Sequence, residues 1–346
     1  MPTNVTADYK KAEEAFRNAR EPAERLACLK EMLRTIPKHK GTEHLQADIK
    51  SRIKLLNDEL AGPRKGARRS GPALVVRPEG AAQIALIGPP NAGKSTLHDR
   101  LTGSHSETGP YPFTTHHPIP GMMPYEDIYF QLVDLPPITG EYMEPWLVNA
   151  LEPADAAMLV IDVTDPECVD QAQTILTRLR EKKLVLEEYW PGPVPEAFAP
   201  LTGDPRDRND DDPFLIELPT VLIGNKSDLD PEPAEVRILE ELIGRSFPAL
   251  PVSALTGSGL DELGSLLYAG LEIVRVYTKV PGHAADDDRP FTVRRGQTVA
   301  DVARLVHKDI AEGLRFARIW GADVYDGQQV GPEHPVSDGD RVELHV

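Results

Sequence analysis

Gly88-Pro89-Pro90-Asn91-Ala92-Gly93-Lys94-Ser95 follows the apolar run Gln83-Ile84-Ala85-Leu86-Ile87 directly and leads into Thr96-Leu97-His98-Asp99-Arg100-Leu101, a helical pattern. A strand, a loop of the form G-x-x-x-x-G-K-[ST] and a helix, in that order, make a phosphate cradle. The glycines let the backbone curl so that successive amide N–H groups and the helix N-terminus face one polyphosphate. Gly88 to Thr96 are therefore expected to hold phosphates. Lys94 should reach the β and γ oxygens and serve catalysis, and the Ser95 hydroxyl should ligate Mg2+.

Working outward, the runs IYFQLVD, AAMLVIDV, TVLIG and ALPVSA alternate with helical patterns. That alternation predicts an α/β domain, a mostly parallel sheet flanked by helices. Asn225-Lys226-Ser227-Asp228 closes the run TVLIG, and Ser253-Ala254-Leu255 closes ALPV. An aspartate at the first place accepts from both N1–H and the 2-amino group of guanine, donors that adenine lacks. Asn225 is expected to tie the base loop to the phosphate loop, Lys226 to cover the base, and the Ala254 N–H to donate to O6. The implied ligands are GTP and GDP with Mg2+.

The flanks read differently. Residues 1–70 carry 16 Lys/Arg against 10 Asp/Glu in a chain whose formal charge is −17. Leu26, Leu29, Leu33 and Ile36 make one helical stripe, and Leu45, Ile49, Ile53 and Leu56 another, which predicts two helices packed face to face. Residues 62–71, rich in Gly, Pro, Arg and Lys, are written as a linker. The expected domains are a helical region with its basic linker over 1–80 and the nucleotide domain over 81–280. An acidic, Pro-rich surface insertion near 189–219 interrupts the latter, with Trp190 packed onto its own domain. The run DELGSLLYAGLEIVRVYT reads as helical. A last small unit over 289–346, with Thr298 capping a helix between short strands, suggests a β-grasp.

Uniform basicity, the mark of a free-standing nucleic-acid binder, is absent, and 40% hydrophobic residues exclude a wholly disordered chain. The longest apolar run, Ala156 to Val163, is far shorter than a membrane helix and is broken by Asp162. Cys28 and Cys168 lie far apart and suit free thiols in a reducing compartment, so a cytoplasmic protein without a membrane partner is expected. His116-His117 has no companion ligands and reads as exposed loop histidines. Ser253 has no histidine partner in sequence, so its backbone role is preferred to a nucleophilic one.

With the phosphate loop, NKSD and SAL in register, the chain resembles the translation-factor-related GTPases. More narrowly it resembles the Obg superfamily, nearest its developmentally regulated (DRG) branch. Tyr111-Pro112-Phe113-Thr114-Thr115 is similar to the Obg switch I motif, which implies that Thr115 meets Mg2+ in the GTP state and serves catalysis. Asp134 of Asp134-Leu135-Pro136-Pro137 falls where the family's DxxG aspartate holds Mg2+ through water. HKDIAEGLRFARIWG and DGDRVELHV resemble the TGS domain, a β-grasp, and IPKHKGTEHLQADIKSRIKLL resembles the DRG helical region. The resemblance implies a slow, Mg-dependent GTPase switch that meets the ribosome or associated RNA through the N-terminal arm and the TGS-like domain.

Two positions depart from the family pattern. Pro137 replaces the DxxG glycine whose N–H donates to the γ-phosphate, and proline has no N–H. Ile138 stands where Ras-like enzymes place the glutamine that orients water. Some GTPases with an apolar residue there use K+, held partly by a phosphate-loop asparagine, and Asn91 matches that place. The competing expectation is a GTP-binding scaffold with little intrinsic hydrolysis.

Overall fold

The computed structural model describes residues 6–19, 22–37, 42–60, 74–104, 117–195, 214–229, 235–280 and 289–346. They form two compact units. The linker over 62–71, the basic clusters at Lys38-His39-Lys40 and Arg64 to Arg69, switch I with Thr115, and His116 lie outside the described residues.

The first unit has three helices rather than two: α1 (Ala7–Asn18), α2 (Pro22–Thr35) and α3 (Glu43–Leu60). The Thr6 side chain caps α1 by accepting from the Tyr9 amide at 3.2 Å, and its hydroxyl donates to the Thr35 carbonyl. Helix α1 was hidden because three apolar contacts, Tyr9, Ala12 and Phe16, are its buried face, while its other positions are mostly charged or polar. They pack with Leu29, Met32, Ile36 and Ile49. Phe214, expected in a surface insertion, belongs to this core: it meets Phe16 edge-on at 6.1 Å and lies beneath the Arg52 guanidinium.

In the second unit the strands are β1 (Gln83–Ile87), β2 (Ile119–Tyr125), β3 (Ile128–Asp134), β4 (Ala156–Asp162), β5 (Leu184–Glu187), β6 (Ile216–Asn225) and β7 (Ala249–Pro251). They pair in the order β2-β3-β1-β4-β6, with β5 and β7 each beside β6, and only the β2–β3 pair is antiparallel. Buried on both faces, β1 and β4 have to be apolar along their length, as they are except at Gln83, which starts β1, and Asp162, which ends β4. Helices α4 (Lys94–Thr102), α5 (Leu147–Leu151), α6 (Cys168–Glu181), α7 (Glu235–Ile243) and α8 (Leu263–Gly270) accompany this sheet. One core contains Leu97, Leu266 and Trp190, and the other Leu147, Ile175 and Leu239.

Of the acidic insertion, residues 196–213 lie outside the described residues, and its two ends are ordered into the domain. Trp190 is buried, as expected, and its indole N–H donates to the Thr220 carbonyl at 3.2 Å. Residues 216–219 are not loop but the start of β6, paired with β5. The helical reading of DELGSLLYAGLEIVRVYT is corrected in its second half. Helix α8 stops at Gly270, Glu272 takes a positive φ of 52°, and residues 273–279 run on as strand β8 (Ile273–Lys279). Ile273, Val274, Val276 and Thr278 are β-branched and favour that extended form. Strand β8 belongs to a second sheet with β9 (Phe291–Arg294), β10 (Phe316–Trp320), β11 (Gln328–Val330) and β12 (Asp340–His345), in the order β11-β10-β12-β8-β9. The small domain thus begins before residue 289. Helices α9 (Val299–Val306) and α10 (Lys308–Gly313) complete it, and a Thr298/Asp301 capping box starts α9.

Arg275 on β8 fixes the two sheets of this unit together. Its guanidinium pairs with Glu126 and Asp127 at the β2–β3 turn and, at 2.9 Å, with Asp338; the Tyr277 hydroxyl donates to Asp127. Burial raises the carboxyl pKa values of Asp127 and Asp338, but hydrogen bonds outweigh it: Tyr277 and Arg275 hold Asp127 below the usual carboxylate range, and Arg275 and Tyr268 do so for Asp338. Arg275→Ala leaves three acids facing one another and is expected to lower unfolding free energy by about 1–3 kcal/mol, the partly exposed cluster being screened. Since Asp127 and Asp338 are depressed, their stabilisation is complete above the ordinary carboxylate range and is lost as pH falls through and below it. Denaturant melts of both proteins should therefore converge on acidification; a constant gap down to pH 2 would refute the assignment.

Candidate functional site

The loop between β1 and α4 is shaped by close backbone approach. A Cβ on Gly88 would stand 2.2 Å from the Val160 carbonyl oxygen. At Gly93, φ is 88° and a Cβ would stand 2.2 Å from Asn225 Nδ2. Both positions need glycine, one for contact and one for contact and conformation. Pro89 and Ala92 are buried, Pro90 half-buried, and Asn91 is exposed with a φ of 59°. Thr96 is exposed on the first turn of α4.

Lys94 is buried and its ammonium donates to the carbonyls of Gly88 and Pro89 at 3.2 and 2.8 Å. Burial lowers its pKa to about 8, partly offset by the nearby Asp134 carboxylate. Nine residues of helix α4 direct their N-terminus at the same place, so an anion bound there meets both the lysine and the helix dipole. Ser95 donates its hydroxyl to Asp134 Oδ2 at 2.6 Å, and Asp134 is fully buried at the end of β3. A hydroxyl and a carboxylate beside a polyphosphate cradle are the hard oxygen donors that Mg2+ takes, so the residues present fit that ion. No cluster of three or more His, Cys, Asp or Glu side chains suited to a metal exists among the described residues.

Asn225 ends β6, buried, and joins three loops. Its Nδ2 donates to the Ala92 carbonyl at 2.8 Å, while its Oδ1 accepts from the Ala254 amide at 3.0 Å. The Ala254 N–H is therefore directed at Asn225, not outward, and a donor to a base O6 has to come from elsewhere in the loop. Lys226 has a φ of 65° and pairs with Asp162 at the end of β4. Burial pushes the Asp162 carboxyl up, and hydrogen bonds from Lys226 and Thr164 bring it below its ordinary range. Asp228 is exposed in the short 3-10 turn Ser227–Leu229. Ser253 is buried and its hydroxyl accepts from the Thr256 amide at 3.1 Å, a loop-shaping role; Leu255 is 74% exposed beside it.

Two contributors escaped the sequence reading. Asp162, noted there only as a break in an apolar run, is the partner that orients Lys226. Arg100 on α4 donates to the Thr256 carbonyl at 2.9 Å and so braces the SAL loop against the phosphate-loop helix. The stretch that follows Asp134, which answers to switch II in the family resembled, starts in the core: Pro137 and Ile138 are buried, and the Ile138 N–H donates to the Gly88 carbonyl at 3.1 Å.

Comparison with known proteins shows the kinds of domain present. The family model described as a 50S ribosome-binding GTPase matches residues 83–188, and the TGS domain model matches residues 274–346, taking in β8. An uncharacterized GTP-binding protein of Methanocaldococcus jannaschii is 28% identical, with 92% of this chain and 91% of that protein covered. Developmentally-regulated G-protein 1 of Arabidopsis thaliana is 29% identical, with 91% and 88% covered. The structure of the Schizosaccharomyces pombe YchF GTPase covers 78% of this chain and 99% of its own at a TM-score of 0.51; at 14% identity it shows a shared fold.

Asn225→Ala strips partners from the buried Ala92 carbonyl and Ala254 amide. Each orphaned group costs about 1–3 kcal/mol, so the ligand-free protein should lose about 2–5 kcal/mol in urea unfolding. A loss below about 1 kcal/mol would mean that this tie does not hold the loops.

Proposed function

We propose that this chain, a GTPase domain joined to a TGS domain of DRG type, is a slow, Mg-dependent GTPase switch that acts on the ribosome or an associated RNA. The observation that carries the reading is Asn225, whose one side chain holds the phosphate loop and the SAL loop together at the end of β6. In this reading the exposed Asp228 carboxylate, three residues beyond Asn225, meets the base attached to the cradled phosphates.

In this reading Gly88 to Thr96 surround the phosphates and Lys94 turns from the Gly88 and Pro89 carbonyls to the β and γ oxygens. Lys226, oriented by Asp162, covers the base, Asp228 accepts from the guanine edge, and Ser253, Ala254 and Leu255 close the base loop. Ser95 and, through water, Asp134 would hold Mg2+, with Thr115 of switch I as the third expected partner. The ion's chemistry there is to neutralise phosphate charge. Phosphoryl transfer to water needs positioning and charge stabilisation more than covalent chemistry. Ile138 has no polar atom with which to orient that water, which accounts for slow turnover. Pro137 has no N–H and the Ile138 N–H is engaged by the Gly88 carbonyl, so neither donates to a γ-phosphate and switch II reads the nucleotide weakly. The alternative of a scaffold that hardly hydrolyses rests on these two residues.

Support for the ribosome comes from the GTPase family match and from the basic excess of the N-terminal arm. The arm and the TGS domain are the proposed contacts. Cys28 and Cys168 are not joined in a disulfide and no described helix is long and apolar enough to cross a membrane, which is compatible with the cytoplasmic address we favour. Exposed Asn91 is the proposed K+ contact.

Asp228→Ala removes two charge-assisted hydrogen bonds, each worth about 1.5–3 kcal/mol, and should weaken GDP binding at least about a hundredfold while leaving ADP binding unchanged. Unaltered GDP affinity would remove Asp228 from the base site. Single-turnover GTP hydrolysis should be slow alone, faster in K+ than in Na+ at matched ionic strength, and faster again with ribosomes. Equal rates in the two salts would dismiss the Asn91 role, and rates indifferent to ribosomes would favour the scaffold.

A further inference from the structure

The second sheet has two unlike faces. One carries Val274, Val276, Ala317, Ile319 and Val342 and is packed with Val299 and Val302 of α9. Side chains alternate along a strand, so the intervening residues stand on the opposite face. Part of that face is engaged within the unit: Arg275 holds Glu126 and Asp127, and Arg294 stands 3.0 Å from Asp155. The remainder presents exposed or half-buried side chains: Phe316, Arg318 and Trp320 in line on β10, Arg341 and His345 on β12, and Lys279 on β8.

These six are arranged as a surface of rings and cations. Phe316 and His345 stack at 4.5 Å with planes 10° apart, and the Lys279 ammonium lies 4.4 Å from the Trp320 ring centre. The acid among them, Glu343, is buried and paired with Lys279 at 3.2 Å and His345 at 2.8 Å, so its charge is met within the sheet. Arg318 and Arg341 stay at the surface. Along β10 the order is ring, cation, ring, with same-face neighbours about 6.8 Å apart.

We propose that this half-face is a platform for unpaired bases of single-stranded RNA, with Phe316 and Trp320 taking bases and Arg318 and Arg341 the phosphates beside them. The inference rests on the reading that the TGS domain meets RNA, and it specifies the surface and the form of RNA. Rings that stack on bases need those bases unpaired; a duplex offers phosphates and 2′-hydroxyls to cations but no base face to a ring. In a chain of formal charge −17 the long-range field repels a polyanion, so contact has to be local and cationic, as this patch is.

The test uses the full-length chain with GDP and Mg2+, a fluorescein-labelled RNA strand of about twelve nucleotides without self-complementarity, and the same strand annealed to its complement. The single strand should bind at least about tenfold more tightly than the duplex. Trp320→Ala should weaken it roughly five- to hundredfold, the range for loss of one stacked base. Trp320→Phe, which keeps a ring, should recover most of that loss. Arg318→Glu should weaken binding and flatten its salt dependence, and GDP affinity should stay constant throughout as the check on folding. Equal affinity for the duplex, or single-strand binding untouched by Trp320→Ala and Arg318→Glu, overturns the platform while the RNA reading stands. Absence of RNA binding with ribosome co-sedimentation lowered by Arg318→Glu assigns the face to a protein and also overturns it. Loss of co-sedimentation in the unaltered chain strikes the ribosome reading itself.

Discussion

Asn225 is the constraint on which the site depends. Its carboxamide donates and accepts at once in a plane, and here it donates to Ala92 in the phosphate loop and accepts from Ala254 in the SAL loop. Buried away from water, both bonds are expensive to break. The strand order serves this tie, since β1, β4 and β6 are neighbours and end their runs at the same edge of the sheet. Gly93 has no side chain because Asn225 occupies that space.

The segment after Asp134 begins in the apolar core, with Ile138 buried and its amide held by Gly88. The β2–β3 hairpin leads to Asp134, and its turn is clamped to the second sheet by Arg275 and Tyr277. The nucleotide domain and the TGS domain are thus joined through the hairpin that leads to Asp134, on the same sheet face whose other half carries Phe316, Arg318 and Trp320.

Much of the α/β fold and the site was legible in the sequence because backbone geometry dictates residue type there. A loop position where a Cβ would stand 2.2 Å from a carbonyl oxygen admits only glycine, and a doubly buried strand such as Ala156–Asp162 admits only apolar side chains until its end. What sequence did not show depends on partners remote in the chain. Helix α1 is polar in isolation and is defined by what Tyr9 and Phe16 touch. Strand β8 follows a helix with only two residues between, and its β-branched run was absorbed into the helical pattern. Asp162 and Arg100 earn their roles from Lys226 and Thr256, and Phe214 sits in a stretch whose acidic, proline-rich neighbours signal surface.

The account turns on guanine being selected by a carboxylate at the end of β6. Calorimetric titration of the full chain with GDP and then ADP, both with Mg2+, measures that selection directly. Two charge-assisted hydrogen bonds available to one purine and denied to the other predict GDP binding at least about a hundredfold tighter. Equal affinities, or a preference for ADP, would contradict it.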